Sequence, residues 1–447
     1  MRAPSSGPGA SSAPGASSTP GASSAAGASS TPGDDAFSPG AAWWERFVAD
    51  CWDADRPAVL RQPLAQPLAT PGDLLHMFRG IADRFRSGAP AGGLLFCIEY
   101  ASKVTEIARH LPDARDASLD AWAARTSEEL GGRRFALVAH APHVASFEHW
   151  SRARSFTRGL GAATSLEEYL IDTEIFVGDY LVTPQGVHVD ATNAFSFVVQ
   201  GRKRMLVWPP HVFAGSPHKR SPRSMGGSTY IDDLDYAPYR SQAVVLEGEP
   251  GDVLYWPATW WHVGESTGGL AATFNISVLR GQLPMYVAQK LLADPATQAE
   301  LAGLASVERQ AQGDLDALVG RSVEVLAGGE SERRLRRWLT RFWMNHLTGA
   351  RFATPPAPRT GVSMSVRLVV RADPRYPIRW RAVEDAIVIS ANGHAIELPG
   401  GSGASVLIDE LNRGEPASVA ALLERHGGIP VADVRALLKW LLEVQAL

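Results

Sequence analysis

The stretches VHVD (Val187–Asp190) and GDVLYWPATWWH (Gly251–His262) decide how this chain is read. On a β-strand, residues i and i+2 point to the same face, so His188 and Asp190 can reach one ion together. His262 then comes from a second strand facing the same interior. Two imidazoles and one carboxylate are the ligand set of a facial triad, which holds Fe(II) on one side and leaves three positions open. An HxD tripeptide alone is a weak signal. The context strengthens it: Gly251-Asp252 turns into the apolar run Val253–Trp256, so both halves of the triad lie beside predicted strands.

Working outward, short strand-like runs fill residues 133 to 280. They are FALVAH, EIFVGDYLVTP, HVDATNAFSFVVQ, KRMLVW, AVVLEGEPGDVLYWP and AATFNISVLRG, separated by turns containing Gly and Pro. This spacing predicts a double-sheet jelly roll of the cupin kind, with an interior that admits a metal and a small co-substrate. Before it, Trp43, Trp44, Phe47 and Val48 fall at helical spacing, residues 56–61 read as a strand, and residues 72–86 and 120–130 read as helices. After Gln282 the period returns to helix as far as residue 348. The last ~65 residues read as two strands (Ala386–Ser390 and His394–Leu398) and three helices (Val406–Arg413, Ser418–His426, Val431–Ala446), bounded by Gly427-Gly428 and Pro430. The fold class is thus mixed α+β, a double-stranded β-helix core with a helical region and a winged-helix-like C-terminal domain.

Residues 1–40 differ from the rest. From Gly9 the chain repeats GASSAP, GASSTP, GASSAA, GASSTP, which has almost nothing to bury and reads as a disordered tail. The expected organisation is a tail over 1–40, a cupin-like domain over 41–282, a helical region over 283–355 and a terminal module over 356–447.

Bulk composition narrows the function. The 447 residues are 45% hydrophobic and 20% charged, with a net charge of −4, so nothing pulls the whole chain toward nucleic acid or an anionic membrane. Two cysteines, Cys51 and Cys97, exclude a disulfide framework and a cysteine-based zinc site. No apolar run approaches the roughly 20 residues of a membrane span. No basic n-region or apolar h-region of a secretory signal begins the chain. The cytoplasm is the expected compartment.

HVD, then GRKRMLVWPP (Gly201–Pro210), then GDVLYWPATWWH resembles the JmjC-type, cupin-like Fe(II)/2-oxoglutarate oxygenases. The similar branches are those that hydroxylate asparaginyl and ribosomal-protein side chains, and the resemblance covers roughly residues 42–280. It implies Fe(II) on His188, Asp190 and His262, with 2-oxoglutarate and O2 as co-substrates. It places Lys203 opposite the distal carboxylate of 2-oxoglutarate, where a dicarboxylate needs a cation. It also places Thr183 and Asn275 in the co-substrate pocket. Thr183 departs from the pattern VTPxHxD, because two extra residues separate it from His188. Arg202 and Arg204 read instead as a solvated hairpin turn.

Other candidates read as ordinary structure. His211 and His218 lie in a connection rich in Pro, Gly and Ser; His140, His143 and His149 lack a carboxylate at strand spacing; Trp260 and Trp261 fit a core; HKRSPRS (His218–Ser224) fits a solvated loop. Arg333, Arg334, Arg336, Arg337 and Arg341 line the charged side of an amphipathic helix. That helical region resembles the dimerisation region of ribosomal-protein hydroxylases, which implies a homodimer. The terminal run resembles both their winged-helix domain and PqqD-like modules, which take a precursor peptide along a strand edge. It is not basic, which argues against nucleic acid.

The function expected is an Fe(II)/2-oxoglutarate-dependent hydroxylase of a peptide or protein side chain, whose C-terminal module docks a ribosomal protein or a ribosomally made precursor peptide. The alternatives are a hydroxylase of a small molecule and a non-catalytic cupin-type binding protein. The ~165 residues after the barrel argue against the first, and the intact triad with Lys203 argues against the second.

Overall fold

The computed structural model describes residues 34–447 except 89–92, 100, 103–106, 165–168, 218, 221–228, 232–233, 267, 282, 296, 300–301, 303–315, 318, 321–322 and 324–328. The repeat from Gly9 to Pro32 lies outside the described residues, whereas residues 34–40, also expected in the disordered tail, are ordered: Asp34–Phe37 form a helical turn and Phe37 is buried in the core, the apolar ring giving this end something to bury.

Fourteen strands build the central domain: β1 (Ala58–Leu60), β2 (Leu94–Ile98), β3 (Ala101–Ser102), β4 (Phe135–His140), β5 (Tyr169–Asp179), β6 (His188–Val189), β7 (Thr192–Gln200), β8 (Lys203–Trp208), β9 (Lys219–Arg220), β10 (Thr229–Tyr230), β11 (Val244–Gly248), β12 (Val253–Trp256), β13 (Trp261–Ser266) and β14 (Ala271–Arg280). They pair antiparallel into an eight-stranded sheet, β1-β12-β7-β14-β5-β4-β2-β3, and a six-stranded sheet, β11-β8-β13-β6-β10-β9. This is the expected double-stranded β-helix.

Alternation along the strands explains why the two sheets face each other. On β7, Phe195, Phe197 and Val199 join the large core outside the eight-stranded sheet, while Ala194 and Val198 point inward. On β8, Met205 and Val207 point inward and meet Leu254 and Trp256 of β12, while Leu206 and Trp208 join a separate outer core with Trp261 and Val263. The inward residues of both sheets thus form one thin apolar layer, Ala194, Val198, Met205, Val207, Leu246, Leu254 and Trp256.

Helices cover the outer face of the larger sheet: α1 (Ala41–Phe47), α2 (Pro71–Arg86), α3 (Ile107–His110), α4 (Leu119–Glu129) and α5 (Phe147–Thr164). Thr70 starts α2 with a reciprocal cap: its hydroxyl accepts from Asp73 N, and the Asp73 carboxylate accepts from Thr70 N. Ser118 caps α4 through Ala121 N. Helix α5 is a departure from the strand-like texture read over 133–280. It buries Trp150, Phe156 and Leu160, but also His149, Arg154, Ser155 and Thr157, and these polar positions break the apolar stripe that would mark a helix.

After the barrel come α6 (Leu283–Leu292) and α7 (Gly329–Thr348). The C-terminal part holds a small pair, β15 (Val369–Val370) with β19 (Ala417–Ser418), and a meander of β16 (Arg379–Val383), β17 (Ala386–Ala391) and β18 (His394–Pro399), with α8 (Ala404–Leu411), α9 (Val419–Arg425) and α10 (Val431–Glu443). The meander has one strand more than the two expected, because β16 carries four exposed residues and lacks an apolar alternation. Its helices close a separate core around Ile389, Leu407, Leu422 and Leu438, while Met344 of α7 packs on Val383 and Val388 from the other face. Among the described residues no helix is long and apolar enough to cross a membrane.

Candidate metal centre

The six-stranded sheet brings the triad together. His262 on β13 pairs directly with His188 on β6, and Asp190 follows β6 by one residue. The Asp190 carboxylate lies 3.7 Å from His188 Nε2 and 3.5 Å from His262 Nε2, and one ligand atom from each residue falls within 4.8 Å of the others. Among the described residues this is the one group of at least three His, Cys, Asp or Glu that can hold a metal ion.

Backbone carbonyls orient both imidazoles. His188 Nδ1 lies 2.9 Å from Gly186 O, and His262 Nδ1 lies 3.1 Å from Trp260 O. A carbonyl only accepts, so each Nδ1 carries the proton and each Nε2 presents a lone pair to the centre. Burial, helped by the neighbouring His262, pushes the His188 imidazole down to about 4, which keeps it neutral and able to ligate at ordinary pH. Asp190 is the most exposed of the three side chains, so solvent reaches the centre from its side. An N,N,O donor set of this kind, grouped on one side, fits Fe(II).

Lys203 begins β8 and is buried on the inner face. Its ammonium donates to Tyr180 Oη at 2.7 Å and stands 4.2 Å from the centre of the Phe176 ring. No ion pair of Lys203 occurs among the described residues, and burial lowers it to about 8. A buried cation held by a phenol and a ring face, with the Glu174 carboxylate acting on it only from beyond ion-pair distance, is suited to receive an anion.

Gly264 connects the two features. It lies two residues beyond His262 on β13, so it shares the inner face. A Cβ there would stand 2.5 Å from Thr183 Cγ2, 3.2 Å from Met205 Sδ and 3.3 Å from Lys203 Nζ. The missing side chain leaves the space beside Lys203 clear. Thr183 is pinned alongside: its N donates to Gly264 O at 2.8 Å, and its hydroxyl accepts from Gly264 N at 3.0 Å. The extra residues after Thr183 form a tight turn, closed by Gly186 N on Thr183 O with Gly186 at φ +63°.

Asn275 lies across the barrel on β14, between Ser196 and Glu174. Its carbonyl accepts from Ser196 Oγ at 2.7 Å, and its amide donates to Glu174 Oε1 at 3.0 Å. The structure therefore places Lys203 and Thr183 beside one another, and Asn275 in a cross-strand network with Glu174, the carboxylate that also acts on Lys203. Below it on β5, burial pushes Asp172 up to about 6.

Two residues of this region were not read from the sequence. Tyr180 is separated from Lys203 by 23 positions and carries no spacing signal. Gly264 was legible, since it follows His262 at strand spacing. The residues set aside behave as ordinary structure where they are described. His143 is locked between Thr173 Oγ1 and Thr354 O, His149 between Ser146 and Asp73, and His140 is half exposed beside Glu174. His211 is exposed, Trp261 packs on Phe213, and His218 lies outside the described residues.

This fold and this site define a class. Residues 140–279, which contain the whole triad, Lys203, Thr183 and Asn275, match the family model described as a cupin-like domain. Solved structures with a similar course include Escherichia coli YcfD, at 16% identity and a TM-score of 0.42, over 90% of this chain and 97% of that one. YcfD is described as a ribosomal oxygenase. A structure of it in complex with cobalt and 2-oxoglutarate is similar at 15% identity and a TM-score of 0.40, over 90% and 97% of the two chains.

Proposed function

We propose that this protein is an Fe(II)- and 2-oxoglutarate-dependent dioxygenase that hydroxylates a side chain of a peptide or protein. The observation that carries the reading is the line along the inner face of the sheet from His262 and the cleared position Gly264 on β13 to the buried Lys203 on the neighbouring β8. A metal ligand, a gap and a buried cation in that order match a short dicarboxylate that chelates at one end and forms an ion pair at the other.

His188, Asp190 and His262 would hold the iron. When bound, the metal with 2-oxoglutarate and O2 supplies the oxidation, coupling decarboxylation to insertion of oxygen into a C–H bond. The protein's own tasks are positional. The carbonyls of Gly186 and Trp260 hold both imidazoles in the ligating tautomer. Lys203, Tyr180 and Thr183 would orient the co-substrate, and the apolar layer of Val207, Leu254 and Trp256 keeps water from the inner side of the centre.

The C-terminal meander and its three helices would act as a winged-helix-like or PqqD-like module that docks the polypeptide substrate. The exposed edge strand β16 suits strand addition by an extended peptide. In this reading α7 also supports a homodimer, and the enzyme works in the cytoplasm.

The test is an anaerobic titration of Fe(II) and 2-oxoglutarate, followed by O2 with succinate as the readout. Wild type should form succinate and His188→Ala should not; equal turnover by both would sink the iron assignment. Mass spectrometry of ribosomal proteins, and of precursor peptides encoded near the gene, then searches for the mass of one added oxygen.

A further inference from the structure

A second cavity, of about 440 Å³, lies between α6 and α7 and shares no residue with the metal centre. That volume suits a small organic molecule. One wall is a ladder of rings on a single face of α7, four residues apart. Trp338 stacks on Phe342 at 5.3 Å and 13°, and Phe342 on His346 at 6.0 Å and 7°. Tyr286 of α6 closes the opposite side, 6.0 Å from Phe342.

The polar groups of this cavity are unevenly satisfied. His346 is 94% buried, since its exposure is 6%, and its Nε2 has no hydrogen-bond partner among the described residues. That nitrogen has under 1 Å² of accessible surface, so it lies behind the cavity wall and the polar groups open to a ligand are those of the rim. Two cations stand at the rim. Lys290 has no ion pair among the described residues and lies 5.2 Å from the centre of the Tyr286 ring. Arg341 reaches Glu397 only at 3.7 Å, and Glu397 is shared with Arg337 at the same distance. The lining carboxylate, Asp294, already accepts from Thr297 N and Thr297 Oγ1. Because the rings of the ladder stack on one another, they turn their edges to the cavity, and ring edges carry the positive end of the quadrupole.

We propose that this cavity binds a small organic anion with a flat aromatic body, an aryl carboxylate in its simplest form. The ring would lie against the edges of Trp338 and Phe342, and the carboxylate between Lys290 and Arg341.

Calorimetry on the full-length protein tests this with two probes of the same ring and opposite charge, indole-3-acetate and tryptamine. Saturable binding of indole-3-acetate is expected, at least tenfold tighter than tryptamine. Lys290→Gln combined with Arg341→Gln, both exposed positions, should weaken it at least tenfold. Binding should persist in His188→Ala and in the presence of Mn(II) with 2-oxoglutarate, which separates this site from the metal centre. Displacement by Mn(II) with 2-oxoglutarate, equal affinity for the two probes, an unchanged double variant, or no binding of indole-3-acetate would each overturn the inference.

Discussion

Gly264 and Lys203 approach so closely that a single methyl group on the glycine would stand 3.3 Å from the lysine ammonium. The same methyl would press on Thr183 Cγ2 at 2.5 Å, a separation that cannot persist without movement. Gly264→Ala is therefore expected to weaken 2-oxoglutarate binding at least tenfold while leaving Mn(II) binding to the triad near the wild-type level. Overpacking of this kind also lowers stability by about 1–3 kcal/mol. Calorimetry with Mn(II) alone, then with 2-oxoglutarate added, distinguishes the two effects. Loss of both together would mean that the glycine serves the barrel as a whole.

Lys203 gives the pocket a pH dependence. Its ammonium is held at about 8 by burial, below the ordinary value for lysine. An anion is received only by the protonated form, which predominates below pH 8. Affinity for 2-oxoglutarate should hold up to about pH 8 and then fall by about tenfold per unit. A profile that stays flat to pH 9.5 would remove Lys203 from the anchoring role. The same shift has a cost for the apo protein, since between about 8 and 10.5 the unfolded chain binds the proton more tightly, so stability rises with pH across that window.

Acid should destabilise the protein through two imidazoles unconnected with the metal. Burial pushes His143 and His346 down to about 4 each. Their folded values lie below the ordinary 6.5, so the unfolded chain takes up protons first as the pH falls. Each contribution is present above 6.5 and lost between 6.5 and 4, on the order of 3 kcal/mol per residue at the end of that range. Chemical denaturation at a series of pH values measures this. His143→Gln should flatten part of the slope, since His188, also held down to about 4, and the lowered His149 and His394 contribute to it as well.

Arg125 closes a buried ion pair away from the barrel. Its Nε and Nη2 each reach a different oxygen of Asp116 at 2.8 Å, and Asp116 is only 2% exposed. The guanidinium beside it holds the Asp116 carboxyl below its ordinary range. Removing one partner of a buried pair leaves an uncompensated charge, so Arg125→Ala should cost about 3–5 kcal/mol. Arg125→Ala with Asp116→Ala should recover part of that loss, as read from the denaturant midpoint.

Much of the barrel was legible because its strands alternate cleanly. The run KRMLVW turns out with Met205 and Val207 inward and Leu206 and Trp208 outward, as a two-residue period requires. His188, Asp190 and His262 were legible for the same reason, their inward positions being set by register. Helix α5 was hidden because Arg154, Ser155 and Thr157 are buried on it, and side chains of those types ordinarily mark a solvated face. Tyr180 was hidden for a different reason. Its contact with Lys203 depends on how β5 and β8, in different sheets, lie across the barrel, and no local pattern encodes that distance. β16 escaped notice because an edge strand with polar residues on both faces lacks the alternation that identifies an inner one.

The acceptors that orient the imidazoles of His188 and His262 are the carbonyls of Gly186 and Trp260. No side-chain substitution deletes a carbonyl, so the supports of this centre are shielded from point mutation in a way that an aspartate or glutamine support would not be. What remains vulnerable is the path of the chain. At Gly186, with φ at +63°, any residue with a Cβ strains the turn that delivers the carbonyl, so damage to the proposed iron site by a change outside the triad is to be sought first at that glycine.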